Sequence, residues 1–414
     1  MCREGAWLCG RQAAFSASSR RGFPVFDSES FCNGSDKQRN QNKSTPEAIN
    51  LSLSDPVRVL SDCALCPRDC HVNRLQGQRG FCGESGVLRA ARAALYYTEE
   101  PVISGRNGSG TVFFSGCNLG CIYCQNRQIS RPGRDLPAAA PVFFGGTPGF
   151  PDESGNENGK KTAGETRLPR LIELSSERLS EIFFELEAEG AHNINLVTPE
   201  HFVPLLVPAL DRAKRQGLTI PVVYNTGSYE KVEAVKALEG LVDVWLPDLK
   251  YVSSILSARH TGAADYFSCA SAAIAEMVRQ CPEPVFSDGS HTIDCPADAD
   301  DPLMIRGVLV RHLALPGCGQ DSRAVLRYLH ETYGDRIFIS IMNQYTPMPQ
   351  VFDEKRGEKT ISDPNLCRRL TEEEYDALVD YAIDLGIQNG FIQESGTVSP
   401  SYIPVFDGTG ILSQ

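Results

Sequence analysis

The chain has 414 residues and a net charge of −12, with a sequence pI of about 5.2, so no broad basic face is expected and nucleic acid is a poor partner. It is 41% hydrophobic, enough for one large domain or two ordinary ones, and no apolar run approaches the roughly 20 residues of a membrane helix. Of its fifteen cysteines, seven sit in two tight groups, and no continuous apolar leader precedes them. This argues against a secreted disulfide framework and for metal or iron–sulfur ligation in the reducing cytoplasm.

Residues 1–55 are polar, rich in Ser, Asn, Lys and Arg, and read as a disordered extension with little to bury. Arg3, Arg11, Arg20 and Arg21 among serines also suit an organelle transit peptide, and a start placed too early is a further reading. Cys2, Cys9 and Cys32 receive no role. Residues 56–105 form a compact Cys-rich module, and residues 106–395 a core domain. There, short apolar runs alternate with amphipathic helices.

The predicted strands are Thr111–Ser115, Ile194–Thr198, Pro221–Asn225, Val242–Pro247, Gly307–Leu315 and Ile337–Met342. Being continuously apolar, they suit parallel strands buried on both faces. Leu179, Ile182, Phe183 and Leu186 follow helical spacing up to a capping Gly190. Pro204–Gln216, Tyr229–Leu238, Tyr266–Arg279, Asp321–Tyr333 and Glu372–Leu385 read as further helices. About six βα units imply an α/β fold, a partial (β/α)6 TIM-like barrel. Residues 131–170 and 282–304 read as solvated insertions, with Cys295 incidental, and 396–414 as a C-terminal tail.

The stretch FFSGCNLGCIYCQN puts Cys117, Cys121 and Cys124 directly after the first predicted barrel strand. Gaps of three and two residues let one short loop reach three irons of a cubane, and thiolates are soft ligands suited to it. An electron-transfer cluster needs a fourth cysteine, and none follows nearby. One iron is therefore left open at the strand ends where barrels place chemistry. A zinc knob or a purely structural cluster is the alternative.

The spacing C-x3-C-x2-C, with Tyr123 before its third cysteine, resembles the signature of the radical S-adenosylmethionine (radical SAM) superfamily. CALCPRDCHVNR, GAHNINLVTPEHF, PVVYNTGSYE, DVWLPDLKY, VRHLALPG and IMNQYTP are similar to the branch of pyruvate formate-lyase activating proteins. The resemblance runs from about residue 60 to 395, the two insertions apart. It implies a [4Fe–4S] cluster whose open iron is chelated by S-adenosylmethionine. Reductive cleavage of the sulfonium would give a 5′-deoxyadenosyl radical that abstracts hydrogen. The named branch implies activation of a glycyl radical enzyme, with an electron donor such as flavodoxin or ferredoxin. Modification of another protein or a small molecule is the alternative.

The same resemblance implies cofactor contacts at Tyr123, Glu200, Asn225, Asp248, Lys250 and Arg311. The family's Gly-Gly-Glu stretch reads Thr198-Pro199-Glu200 here, so the carboxylate is kept without its glycines. An ordinary helix-start acid, a strand-end ion pair and a satisfied buried Arg are the bland readings of Glu200, of Asp248 with Lys250, and of Arg311. His312, Asn343 and Gln344 stand near the same strand ends.

Cys63, Cys66, Cys70 and Cys82, with His71 as a neighbour, form the second group. Four soft ligands on a segment with little core suit a closed structural zinc site, and an auxiliary iron–sulfur cluster is the alternative. Two rivals to the enzyme are an iron–sulfur electron carrier, which needs four protein ligands at each cluster, and a zinc-dependent interaction module.

Overall fold

The computed structural model describes residues 6–7, 55–131, 169–292, 302–347, 363–393 and 403–412. In chain order its strands are β1 (Ala6–Trp7), β2 (Leu88–Tyr96), β3 (Ser109–Phe114), β4 (Ile172–Leu174), β5 (Ile194–Val197) and β6 (Val222–Thr226). There follow β7 (Val244–Pro247), β8 (Val285–Phe286), β9 (Met304–Leu313), β10 (Phe338–Met342) and β11 (Gly390–Ile392). They make one sheet, ordered β1-β11-β10-β9-β7-β6-β5-β3-β2-β4, with β8 added to β9. From β3 through β5, β6, β7, β9 and β10 to β11 every pairing is parallel.

All six expected strands are present. β3, β5, β6, β7 and β10 are buried at every position, which is why they read as unbroken apolar runs. Helices connect them: Ser176–Ala188, Val203–Arg215, Val232–Lys236, Ser254–Thr261, Tyr266–Gln280, Gly319–Tyr333 and Glu372–Leu385. The first is capped by the Ser175 side chain and the last by a reciprocal Thr371–Glu374 box. The expected helix Tyr229–Leu238 shrinks to Val232–Lys236, because Ser228 takes φ +63° and the chain turns there.

The sheet curls into a partial barrel. Asn195 on β5 and Arg311 on β9 belong to strands three apart in the order, about 14 Å in a flat sheet. Yet both donate to the one carboxylate of Glu99, at 3.2 and 3.0 Å.

Four features depart from the sequence reading. The parallel run has a seventh strand, β11, too short at three residues to register as a pattern. The Cys-rich module shares the sheet, because β2 pairs antiparallel with β3. Part of 282–304 is ordered: β8 pairs antiparallel with β9 and Phe286 is buried, while 293–301 lie outside the described residues. The tail folds back, with Ala93 N–H donating to Thr409 O, Gly408 N–H to Ala91 O, and Phe406 and Ile411 buried. Most of 1–55 and 132–168 lies outside the described residues. No helix among the described residues is long and apolar enough to cross a membrane.

Candidate active site

The loop bearing Cys117, Cys121 and Cys124 leaves the C-terminal end of β3 and is stitched down along its length. Gly116 N–H donates to Ile129 O at 2.8 Å, Gly120 N–H to Thr261 O at 3.2 Å and Ile122 N–H to His260 O at 2.9 Å. Leu119 N–H donates to the Cys117 sulfur at 3.3 Å. Burial pushes the Cys117 thiol well above its ordinary range, and negative charge at Glu200, Cys121 and Cys124 adds to this. Cys121 is pushed up to about 11, again by burial first, with Lys250 opposing. The three thiols thus lie within charge range of one another and beside a lysine. Binding a metal there must expel protons.

Across from this loop the strand ends carry a charged network. Arg311 donates through Nε to Asp248 at 3.0 Å, through Nη1 to Glu99 at 3.0 Å and through Nη2 to Asn225 Oδ1 at 2.5 Å. Lys250 donates to the other Asp248 oxygen at 2.5 Å. Burial would raise the Asp248 carboxyl, but Lys250 and Arg311 reverse this and hold it below its usual range. Asn225, Asp248, Lys250 and Arg311 are therefore brought together. The Arg311 fork is taken up by protein partners, as a satisfied buried arginine would be.

Glu200 follows β5 after Thr198, which is held at φ +58°. It is 1% exposed; the Cys117 thiol donates to its Oε1 at 3.9 Å, while its Oε2 has no hydrogen-bond partner among the described residues. Burial, then the nearby Glu230, push its carboxyl up to about 8. Further buried atoms without a partner among the described residues are Ser228 Oγ, His312 Nε2 and Asn343 Oδ1, at the ends of β6, β9 and β10. Gln344 meets the cysteine loop through its carbonyl, which accepts from Gln125 at 3.1 Å. Tyr123 is buried on a relay: its hydroxyl is 2.8 Å from that of Tyr251, which is 3.1 Å from His260 Nδ1, and His260 Nε2 is 3.1 Å from Asp363.

The Cys-rich module packs against the same loop. Cys117 N–H donates to Cys82 O at 3.4 Å. Arg68 donates to the carbonyls of Asn118, Gly262 and Thr261 and stacks on Phe81 at 3.8 Å. Cys66 is pushed up to about 12, by burial first, with Cys82, Cys63 and Cys70 adding negative charge. Each sulfur also meets an N–H donor. Phe81 N–H reaches Cys70 at 3.2 Å, the Arg74 guanidinium reaches Cys63 at 3.9 Å, and the Arg68 and Glu84 amides serve Cys66 and Cys82. Asp69 and His71 take φ of +42° and +51°, so the loop turns tightly there. His71 itself points outward to Asp62 at 2.8 Å. Among the described residues no three or more His, Cys, Asp or Glu side chains are gathered tightly enough for a single ion.

No family model matches the chain. An uncharacterized protein of Methanocaldococcus jannaschii is 25% identical over 340 residues, 81% of this chain and 79% of its own length. A domain of a pyruvate-formate lyase-activating enzyme from Bacteroides vulgatus is similar at 14% identity and TM-score 0.30, over 46% of this chain and 91% of that one. Streptococcus suis SuiB bound to S-adenosylmethionine is similar at 10% identity and TM-score 0.36, over 67% of this chain and 47% of that one. Structural likeness this slight decides nothing about chemistry. The cysteine loop lies at the end of the first parallel strand of a partial barrel, where the sequence pattern leads it to be expected. This chain resembles the radical SAM superfamily. Against that pattern, sequence reasoning missed Glu99 and Glu230. Glu99 lies outside the parallel strands, and only the curl of the sheet carries it to Arg311. Glu230 accepts from Tyr224 at 2.9 Å and Thr226 at 2.6 Å, and its SYE context gave no sign of burial.

Proposed function

We propose that the chain is a radical SAM enzyme that cleaves S-adenosylmethionine reductively at a [4Fe–4S] cluster held by Cys117, Cys121 and Cys124. The observation that carries this is the buried, unpartnered Glu200 Oε2 beside the Cys117 thiol. A buried carboxylate oxygen without a donor calls for one, and the ammonium of a methionyl group is one. The donor set fits the cluster: three thiolates on one loop leave a position for a ligand. When bound, the pair supplies one-electron scission of the sulfonium to methionine and a 5′-deoxyadenosyl radical.

The chain's own residues do the rest. Glu200 takes the ammonium, Lys250 attracts the cofactor carboxylate, and Asn225 offers its amide at the end of β6. Arg311 fixes Asp248 and Asn225 in place, which leaves Asp248 to meet ribose hydroxyls. Tyr123, locked by Tyr251 and His260, keeps the loop between Cys121 and Cys124 in one conformation and shields it from water. Cys63, Cys66, Cys70 and Cys82 are proposed to hold a zinc ion or a second iron–sulfur cluster that staples the module over the loop. The radical's target is proposed to be a glycyl radical enzyme, with flavodoxin or ferredoxin as donor, in the cytoplasm. Another protein or a small molecule is the second reading, since a barrel does not fix its substrate.

The test is anaerobic reconstitution with iron and sulfide, reduction, and addition of S-adenosylmethionine, with 5′-deoxyadenosine measured by mass spectrometry. The wild type should release it and Cys117→Ala should not. A fully loaded cluster that releases none would end the proposal.

A further inference from the structure

Glu99 carries more than its share of the strand-end network. One oxygen accepts from Asn195 at 3.2 Å and Asn225 at 3.3 Å, the other from Arg311 at 3.0 Å, and its side chain is only 9% exposed. The network it belongs to holds three carboxylates, Glu99, Glu100 and Asp248, and two cations, Arg311 and Lys250. Three against two leaves one negative charge in excess. Arg311 is divided between Asp248 and Glu99, and Glu100 stands at the limit of its reach, 4.0 Å away.

We propose that Glu99 makes this pocket selective for a cationic sulfonium ligand over the uncharged thioether left when the methyl group is lost. The inference rests on the reading of the pocket as an S-adenosylmethionine site. That cofactor carries one ammonium, one sulfonium and one carboxylate, a net charge of +1. S-adenosylhomocysteine keeps the ammonium and carboxylate but lacks the sulfonium charge, and is neutral overall. A pocket with one excess negative charge favours the first over the second on electrostatics alone. Removing the Glu99 charge brings this network to zero and takes its share of that preference away. A unit charge about 10 Å off in a medium of effective dielectric about 20 shifts affinity roughly tenfold. Burial pushes the Glu99 carboxyl up to about 7, with Arg311 opposing and Glu100 and Asp248 adding to the rise, so the measurement is made above that value, at pH 8.5. Glu200 and Glu230 sit by the cysteine loop and also favour the cation, by the same amount in wild type and variant.

The experiment measures Kd for S-adenosylmethionine and for S-adenosylhomocysteine by calorimetry at pH 8.5. It uses the anaerobically reconstituted, oxidised full chain, in which no cleavage occurs. Glu99→Gln should lower the ratio Kd(thioether)/Kd(sulfonium) about tenfold, by weakening the sulfonium ligand while the thioether is nearly unchanged. Glu99→Met should do the same if the Gln variant does not fold, and Glu99→Asp should keep the wild-type ratio. A packing defect weakens both ligands together, so an unchanged ratio in both neutral variants overturns the inference and spares the pocket reading. Wild type that binds neither ligand overturns the pocket reading and the inference with it.

Discussion

Replacing Gly116 by alanine should damage both cysteine groups at once, because this residue is where they touch. Its φ is +83°, and an added Cβ would stand 2.5 Å from Glu84 Cγ, 2.9 Å from the Cys82 carbonyl and 2.9 Å from His201 Nε2. None of the three gives way readily. Both Glu84 oxygens are held by Arg89 at 2.8 Å, and one also by Ser115 at 2.8 Å. His201 Nε2 is fixed to Ser115 O at 2.7 Å, and the Cys82 oxygen is main chain. The left-handed backbone costs an L-residue about 1–2 kcal/mol and overpacking about 1–3 kcal/mol more, so about 2–5 kcal/mol in sum. The assay is urea denaturation followed by circular dichroism, with iron counted after reconstitution. The midpoint should fall clearly and iron should drop, since Cys117 follows directly and bonds to Cys82. Wild-type midpoint and iron content in Gly116→Ala would refute the packing described here.

Arg68→Ala should cost about 1–3 kcal/mol by leaving three carbonyls without their shared donor, and Arg68→Lys should not restore it, since one ammonium cannot span them; urea midpoints for both variants test this. Tyr251→Phe should cost about 1–3 kcal/mol, because the hydroxyl of Tyr123 and His260 Nδ1 lose their common partner. An unshifted midpoint would remove the relay from the account. Burial pushes the Glu230 carboxyl up to about 7, against the pull of Thr226 and Tyr224. Its folded pKa then lies above the unfolded value near 4.3, so the folded state keeps a proton that the unfolded chain releases, and stability falls as pH rises between the two values. Glu230→Gln should remove that slope, on the order of 2 kcal/mol across the window. Wild-type and variant melting curves that stay parallel from pH 4.5 to 7 would contradict it.

The barrel was readable because its strands are buried on both faces and so stand out as apolar runs bracketed by amphipathic helices. The cysteine loop was readable because ligands for one centre must sit close in sequence when a single loop supplies them. What escaped reading depends on the sheet's curvature. Glu99 is 96 positions from Asn195 and 212 from Arg311, and no local pattern joins them. The antiparallel β2 was hidden in LRAARAALY, whose arginines suggest a surface while its alanines line the sheet. The left-handed residues are Thr198 and Ser228 themselves, not glycines, so neither position announces itself. They sit after β5 and β6, beside the pocket, as strained backbone at a working site often does.

The claim on which all of this turns is that an iron bound by Cys117, Cys121 and Cys124 keeps one position for the cofactor. Electron–nuclear double resonance on the reduced, reconstituted chain, with S-adenosylmethionine labelled by nitrogen-15 in its amino group, tests it most directly. A nitrogen coupling to the cluster, absent in Cys117→Ala, is the expected result. A reduced four-iron cluster that gives no such coupling at saturating cofactor would contradict the account.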